Sequence, residues 1–168
     1  MSLLVGLVVS AGLATAGVHE TGLGLAMAWH DGPRQVLFGA GPRAVHRYTH
    51  TEQTPWFVQG GLERVWLVVP SWGFSAAAGL RRVSGRWSPE AAVELALYPS
   101  RIIKIPPEFP TAPMFPATSL RLRIAPLSFQ VTDRSRVSAL ELGPGLGLDT
   151  PAQTRAFGVS VFSVAHRW

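Results

Sequence analysis

Cysteine is absent from the 168 residues, which excludes a disulfide scaffold, a thiolate metal site and a cysteine nucleophile together. Lysine is nearly absent too: of 15 basic residues only Lys104 is not arginine. Charge of either sign is scarce, at 15% of the chain, where a soluble domain carries about 25%. Long apolar runs are also missing. Beyond the N-terminal stretch none reaches the ~18 residues of a membrane-spanning helix, so a helical membrane protein is excluded. An intrinsically disordered chain is excluded from the other side, because 47% of the residues are hydrophobic.

What is present is glycine (17), proline (14) and tryptophan (6), with a mean hydropathy of +0.21. The length allows one domain with a real core. Low charge and positive hydropathy without long apolar runs leave one class that hides its apolar residues at every second position, the transmembrane β-barrel. The net charge of +5 and the pI near 11.0 raise nucleic acid as a partner. The arginines are scattered, however, and no basic cluster interleaves with aromatics, so no nucleic acid is expected.

Residues 1–16 read as an export signal. Leu3, Leu4, Val5, Leu7, Val8 and Val9 form the apolar segment, and Ala14-Thr15-Ala16 fits the small-x-small rule for cleavage before Gly17. No lysine or arginine precedes the apolar segment. The expected organisation is therefore a signal peptide over 1–16 and a single barrel domain over 17–168.

Period-two patterning runs along that domain. Leu23, Leu25, Met27 and Trp29 alternate with Gly22, Gly24, Ala26 and Ala28, and Asp31-Gly32 follows as a hairpin turn. Phe74, Ala76, Ala78 and Leu80 oppose Ser75, Ala77, Gly79 and Arg81, and Ser84-Gly85 supplies another turn. Val93, Leu95 and Leu97 oppose Glu94, Ala96 and Tyr98; Leu120, Leu122 and Ile124 alternate with Arg121 and Arg123. After Pro126 the phase flips, with Leu127, Phe129 and Val131 opposing Ser128, Gln130 and Thr132, as a bulge there would produce. Leu140, Leu142, Leu146 and Leu148 alternate with Glu141, Gly143, Gly145 and Gly147, and glycine at successive same-face positions argues against a helix. The predicted fold is all-β, an antiparallel up-and-down β-barrel. Eight strands are expected over 21–31, 33–50, 56–69, 72–83, 86–98, 118–132, 136–149 and 154–168. Splitting the second at Gly41-Pro42 would give nine. This count puts the proline-rich connection 99–117 at the end opposite the short turn 133–135, as small barrels with short inner turns and long outer loops require.

On these features the chain resembles the small outer-membrane β-barrel proteins. In that family the last strand is read by the assembly machinery through a terminal aromatic and alternating apolar residues. Here Phe162, Val164 and Trp168 carry that resemblance, while His166 departs from the usual apolar choice. The other parity (Phe157, Val159, Val161) is also apolar, so the facing of this strand stays open. The resemblance implies an outer-membrane location, membrane lipid and the barrel assembly machinery as partners, a surface ligand at loop 99–117, and a structural or surface-interaction role. Trp29, Trp56, Trp72, Trp87 and Trp168 fall near expected strand ends, where indole rings favour the lipid boundary; Trp66 falls mid-strand.

Inward faces would hold Arg81, Glu94, Arg121, Arg123 and Glu141, with Tyr98 and Gln130. An interior of this width is filled by side chains, so these residues are expected as a structural charge network rather than a pore lining. Arg43 and Arg47, and Arg134 and Arg136, near strand ends, are expected at anionic head groups. None of the five histidines has HExxH spacing, and His46 and His50 lie ~13 Å apart on one strand face. No metal or cofactor is expected. Two alternatives remain. A soluble periplasmic barrel would turn the same large residues inward around an apolar ligand. A membrane-embedded enzyme resembling lipid A acyl hydrolases would use His46 or His30 as its base, with a serine, threonine or carboxylate in hydrogen-bond reach.

Overall fold

The computed structural model describes residues 17–31, 36–66, 70–98, 118–148 and 155–168. Among these there is no helix. The strands are β1 (Val18–Asp31), β2 (Val36–Thr49), β3 (Trp56–Trp66), β4 (Pro70–Arg81), β5 (Glu90–Leu97), β6 (Thr118–Ala125), β7 (Ser128–Thr132), β8 (Ser135–Gly147) and β9 (Arg155–Arg167). Each pairs antiparallel with its neighbours, in the order β6-β5-β4-β3-β2-β1-β9-β8, and β6 pairs with β8 to close the ring. The result is a closed eight-stranded barrel with one extra short strand, β7, on the near half of β8. The extra break falls at Pro126-Leu127. At Gly41-Pro42 β2 runs on, and Pro42 pairs with Leu25.

We call the end where β1 begins and β9 ends proximal. The chain reverses there between β2 and β3, β4 and β5, and β7 and β8. The β7–β8 turn is the two residues Asp133 and Arg134, and Gly85 in the β4–β5 connection takes φ +79°, a conformation a side chain would strain. β1, β3, β5 and β8 end at the opposite, distal end. Residues 1–16 and 99–117, the expected signal and long loop, lie outside the described residues.

The alternation of the sequence becomes the two faces of the wall. Along β5 the pattern is strictly buried then exposed, with Ala92, Glu94 and Ala96 inside and Val93, Leu95 and Leu97 outside; β6 repeats it with Arg121 and Arg123 inside and Leu120, Leu122 and Ile124 outside. Most large apolar side chains face out, and the core is mainly alanine, serine, arginine and glutamate, with Phe57, Val65 and Tyr98 among them. The soluble arrangement, with Leu146 and Leu148 turned inward, is not what forms: they are 60% and 55% exposed. Glycine serves the close packing at Gly145, where an added Cβ would sit 2.2 Å from the Leu120 carbonyl oxygen across the closing seam. Trp29 and Trp72 stand exposed near the distal rim, and Trp56, Trp87 and Trp168 near the proximal one. β3 is described as far as Trp66, and residues 67–69 of the expected strand lie outside the described residues. β5 starts at Glu90, with Trp87 only bridging to Phe129.

The phase flip at Pro126 is one part of a longer feature. Leu127 accepts the backbone N–H of Ala139, and Ala139 lies between the β8–β9 pairs Ser138–Ser163 and Leu140–Val161, opposite Phe162. At each of these three residues the inward parity changes. Ala125 and Ser128 both point in, as do Ser138 and Glu141, and as do Ser160 and Ala165. Phe162 has φ +58°, and the β1–β9 register shifts between Gly24 and Leu25, where the line ends. A bulge row therefore crosses three adjacent strands. It also settles the facing of β9: Val161 points out distal to the bulge and Val164 points out proximal to it.

Candidate functional site

The barrel interior is a two-tiered network of arginine and glutamate whose pairing follows from strand register. In the distal tier Glu94 of β5 lies directly across from Arg121 of β6, and Arg43 of β2 across from Glu63 of β3. Arg43 donates to Glu94 and lies 3.9 Å from Glu63 and 3.7 Å from Glu141. Arg123 reaches Glu141 at 3.7 Å and Glu94 at 4.0 Å, and Arg121 reaches Glu94 at 3.8 Å. Tyr98 donates to Glu63 and accepts from Arg121 at 2.7 Å. Three guanidiniums thus meet three carboxylates.

The proximal tier is built on Glu20 and Glu90. Glu20 sits in register between Arg47 of β2 and Arg167 of β9. It accepts from Arg81 at 2.9 Å and Arg167 at 3.3 Å, with Arg136 at 3.1 Å and Arg47 at 3.7 Å. Glu90 takes both terminal nitrogens of Arg47, at 2.6 and 2.7 Å, and pairs with Arg136. Gln59 accepts from Arg47 and Arg123, joining the tiers, and Arg47 lies 3.9 Å over the Phe57 ring. Four arginines here share two buried carboxylates.

The five charged residues picked out from sequence are all in this network. Arg81, Glu94, Arg121 and Arg123 are buried, and Glu141 is nearly so. Gln130 is not; its amide donates to Thr132 at the proximal turn. Arg43, Arg47 and Arg136 are corrected: expected at head groups, they point inward and are buried, because each shares the parity of the small residues on its strand. Arg134 sits exposed in its turn. Glu20, Glu63 and Glu90 were missed; for Glu20 and Glu90 the signal was available, a charge on the small-residue face of the strand, while the face of Glu63 carries Phe57, Gln59 and Val65 and gives no such contrast. The space left between the distal tier and β8–β9 is about 20 Å³, bordered by Arg43, Glu94, Arg121 and Glu141, which is room for about one water.

The histidine candidates separate. His30 is the penultimate residue of β1, nine positions from Thr21, the register partner of His46, so the two histidines lie roughly 30 Å apart. His46 joins an outward cluster at the proximal rim. Its Nε2 lies 3.2 Å from His19 Nδ1, and its Nδ1 lies 3.2 Å from the Thr21 hydroxyl. Trp168 stacks on His19 at 5.6 Å and donates its indole N–H to Thr21, and Tyr48 tilts against His19. A threonine is thus in reach of His46, as acyl transfer requires. The third member is a histidine rather than a carboxylate, and β1 here pairs on both edges, which occupies the N–H groups that an oxyanion hole needs. Among the described residues no group of three or more histidine, aspartate or glutamate side chains is arranged to hold a metal. Of the terminal-strand residues, Phe162 is the bulge residue, and Val164 and Trp168 face out below it.

No family model matches the sequence, and comparison with curated proteins yields no match. Solved structures do match. Neisserial surface protein A is 15% identical, superposes with a TM-score of 0.58, and the alignment covers 90% of this chain and 99% of that one. Ail, the attachment invasion locus protein of Yersinia pestis, solved in complex with the heparin analogue sucrose octasulfate, is 13% identical with a TM-score of 0.53, covering 92% of this chain and 100% of Ail. Both are small outer-membrane β-barrel proteins of eight strands, and it is their fold that this chain shares.

Proposed function

We propose that this chain is an outer-membrane barrel, closed to solutes by its own arginine–glutamate interior, whose role is structural or surface-interacting rather than catalytic. One observation carries the reading: the wall is inside out relative to a soluble protein. Leu23, Leu25, Leu80, Val93 and Leu122 are exposed around the circumference while Glu20, Arg47, Glu94 and Arg121 are buried. Only a hydrocarbon surround makes both faces favourable at once. The exposed tryptophans near both rims fit the two lipid–water boundaries. The proximal end, where β1 begins and β9 ends, then faces the periplasm, and the distal end, where connection 99–117 begins and ends, faces outward. A surface ligand would meet the distal loops; the sulfated sugar bound by Ail supports that kind of role without naming the ligand here. Residues 1–16 as an export signal, and Phe162, Val164 and Trp168 as the pattern read by the assembly machinery, belong to the same reading.

Cell fractionation followed by gel electrophoresis with and without boiling tests it. The expected result is recovery with the outer membrane and faster migration of the unboiled form, because a closed ladder resists detergent. Recovery in the soluble periplasmic fraction would overturn the reading.

A further inference from the structure

The outer wall carries a depression that adjoins the histidine cluster. One outward register row runs from His46 of β2 through Gly60 of β3, Ala76 of β4 and Leu95 of β5 to Leu120 of β6. Gly60 and Ala76, with Ala78 one row nearer the proximal end, are small. They lie between the outward pairs Leu62–Phe74 and Trp56–Leu80 of the same two strands. A Cβ added at Gly60 would meet nothing within 4 Å. The result is a groove of about 640 Å³ in the wall, floored by these three small residues and bounded at its far end by Val93, Leu95 and Leu120.

The groove climbs the wall. His46 lies three residues from the proximal end of β2, and Leu120 two residues from the distal start of β6. Four inter-strand steps make the row roughly 19 Å long, and strands tilted by ~40° raise it by roughly 12 Å. One leaflet is ~15 Å deep, half of a ~30 Å hydrocarbon core. Polarity changes along the same line. At the low end His46 and Tyr48 line the groove, and His46 is held there by His19 and Thr21, each at 3.2 Å. From Gly60 onward the outward residues that line it are all apolar.

We propose that this groove seats one acyl chain of a phospholipid from the proximal leaflet, with the ester and phosphate region of that lipid at His46 and Tyr48. A depression in a wall immersed in hydrocarbon is filled, because a void forfeits dispersion contacts on its lining. A second copy of the barrel fits it poorly, since a two-fold contact centred on the groove sets concave against concave and doubles the void. A single chain lies in it lengthwise, and its polarity runs as the groove's does, polar at the boundary and apolar toward the midplane. Imidazole, phenol and hydroxyl groups are costly in hydrocarbon and favourable at the boundary, where amphipathic rings settle. The seat rests on the membrane placement proposed above and adds to it a position, an orientation and one kind of lipid.

The test uses the full barrel refolded into phosphatidylcholine vesicles. These contain a trace of phosphatidylcholine with a photoreactive diazirine on one acyl chain, either near the ester or near the methyl end. After illumination the cross-linked peptides are mapped by mass spectrometry. The ester-end label is expected on β2 and β3 around His46 and Val58, and the methyl-end label on β5 and β6 around Leu95 and Leu120. Gly60→Leu fills the floor where an added Cβ has open space, and is expected to cut labelling of the groove about fivefold while leaving that of β8 and β9 unchanged. Ala76→Leu repeats the test one strand along. Labels spread evenly around the circumference at their own depth would overturn the proposal, and so would leucine variants labelled like the parent. A dimer in sedimentation that Gly60→Leu dissociates would overturn it too, by giving the groove to a second copy. The two label maps of the parent decide the matter even where a variant does not fold. A barrel that enters the vesicles, migrates faster unboiled and labels evenly sinks the seat alone, whereas one that stays out of the vesicles sinks the membrane placement with it.

Discussion

Removing a single member of the interior network is costlier than removing a pair. Arg43 meets Glu63, Glu94 and Glu141 and is buried with them. Its desolvation is offset only while those carboxylates face it, and theirs only while it is present. Arg43→Met is therefore expected to destabilise the barrel by about 3–5 kcal/mol, the cost of leaving buried charge unpaired. The double variant R43M/E94Q removes charge of both signs and should recover a large part of that loss. Equilibrium urea unfolding from lipid vesicles measures both. A single variant within ~1 kcal/mol of the parent would mean that water, not arginine, solvates these carboxylates. The same logic explains which residues were legible from sequence. Arg121 and Arg123 stand out because they interrupt leucines at every second position. Arg43 and Arg47 share a parity with Gly39 and Gly41 but also with Leu37 and Val45, so the contrast is weaker there and the closed register is what shows that they point inward.

At the level of the strand, the bulge row decides which residues of β8 and β9 face out. Alternation predicts one parity per strand, and it holds along β1, β5 and β6. In β9 both parities are apolar, and the sequence offers no way to choose, because the strand uses one parity distal to Phe162 and the other proximal to it. A local irregularity in three neighbouring strands leaves only the Pro126 phase flip as a sequence signal; Ala139 and Phe162 carry none. Phe162 at φ +58° is the position where backbone conformation and side chain conflict. A β-branched residue suffers more there, so Phe162→Val is expected to cost about 1–3 kcal/mol. Phe162→Gly relieves the conformation while losing an exposed ring, and should stay within about 1 kcal/mol of the parent. Reversible unfolding of the two variants compares them directly. Equal losses would show that the ring's outward contacts, not the bulge, govern this position.

For the molecule as a whole, the question is what surrounds the wall. A hydrocarbon slab makes the cost of an outward charge depend on height, whereas water makes it negligible at every height. Val93 and Leu122 face each other across the β5–β6 ladder, away from both strand ends, and both are exposed. Trp56 opens β3 at the proximal rim and is exposed to a similar degree. Arginine at Leu122 should therefore cost about 2–4 kcal/mol on folding into vesicles, and arginine at Trp56 about 0–1 kcal/mol beyond the loss of the ring. The contrast is the informative quantity, since exposure alone would make the two substitutions alike. In detergent micelles, which deform around a charge more readily than a bilayer, the gap should narrow. If Leu122→Arg were neutral in vesicles, the apolar wall would have to be covered by something other than lipid, and the inverted faces would need a protein partner to explain them.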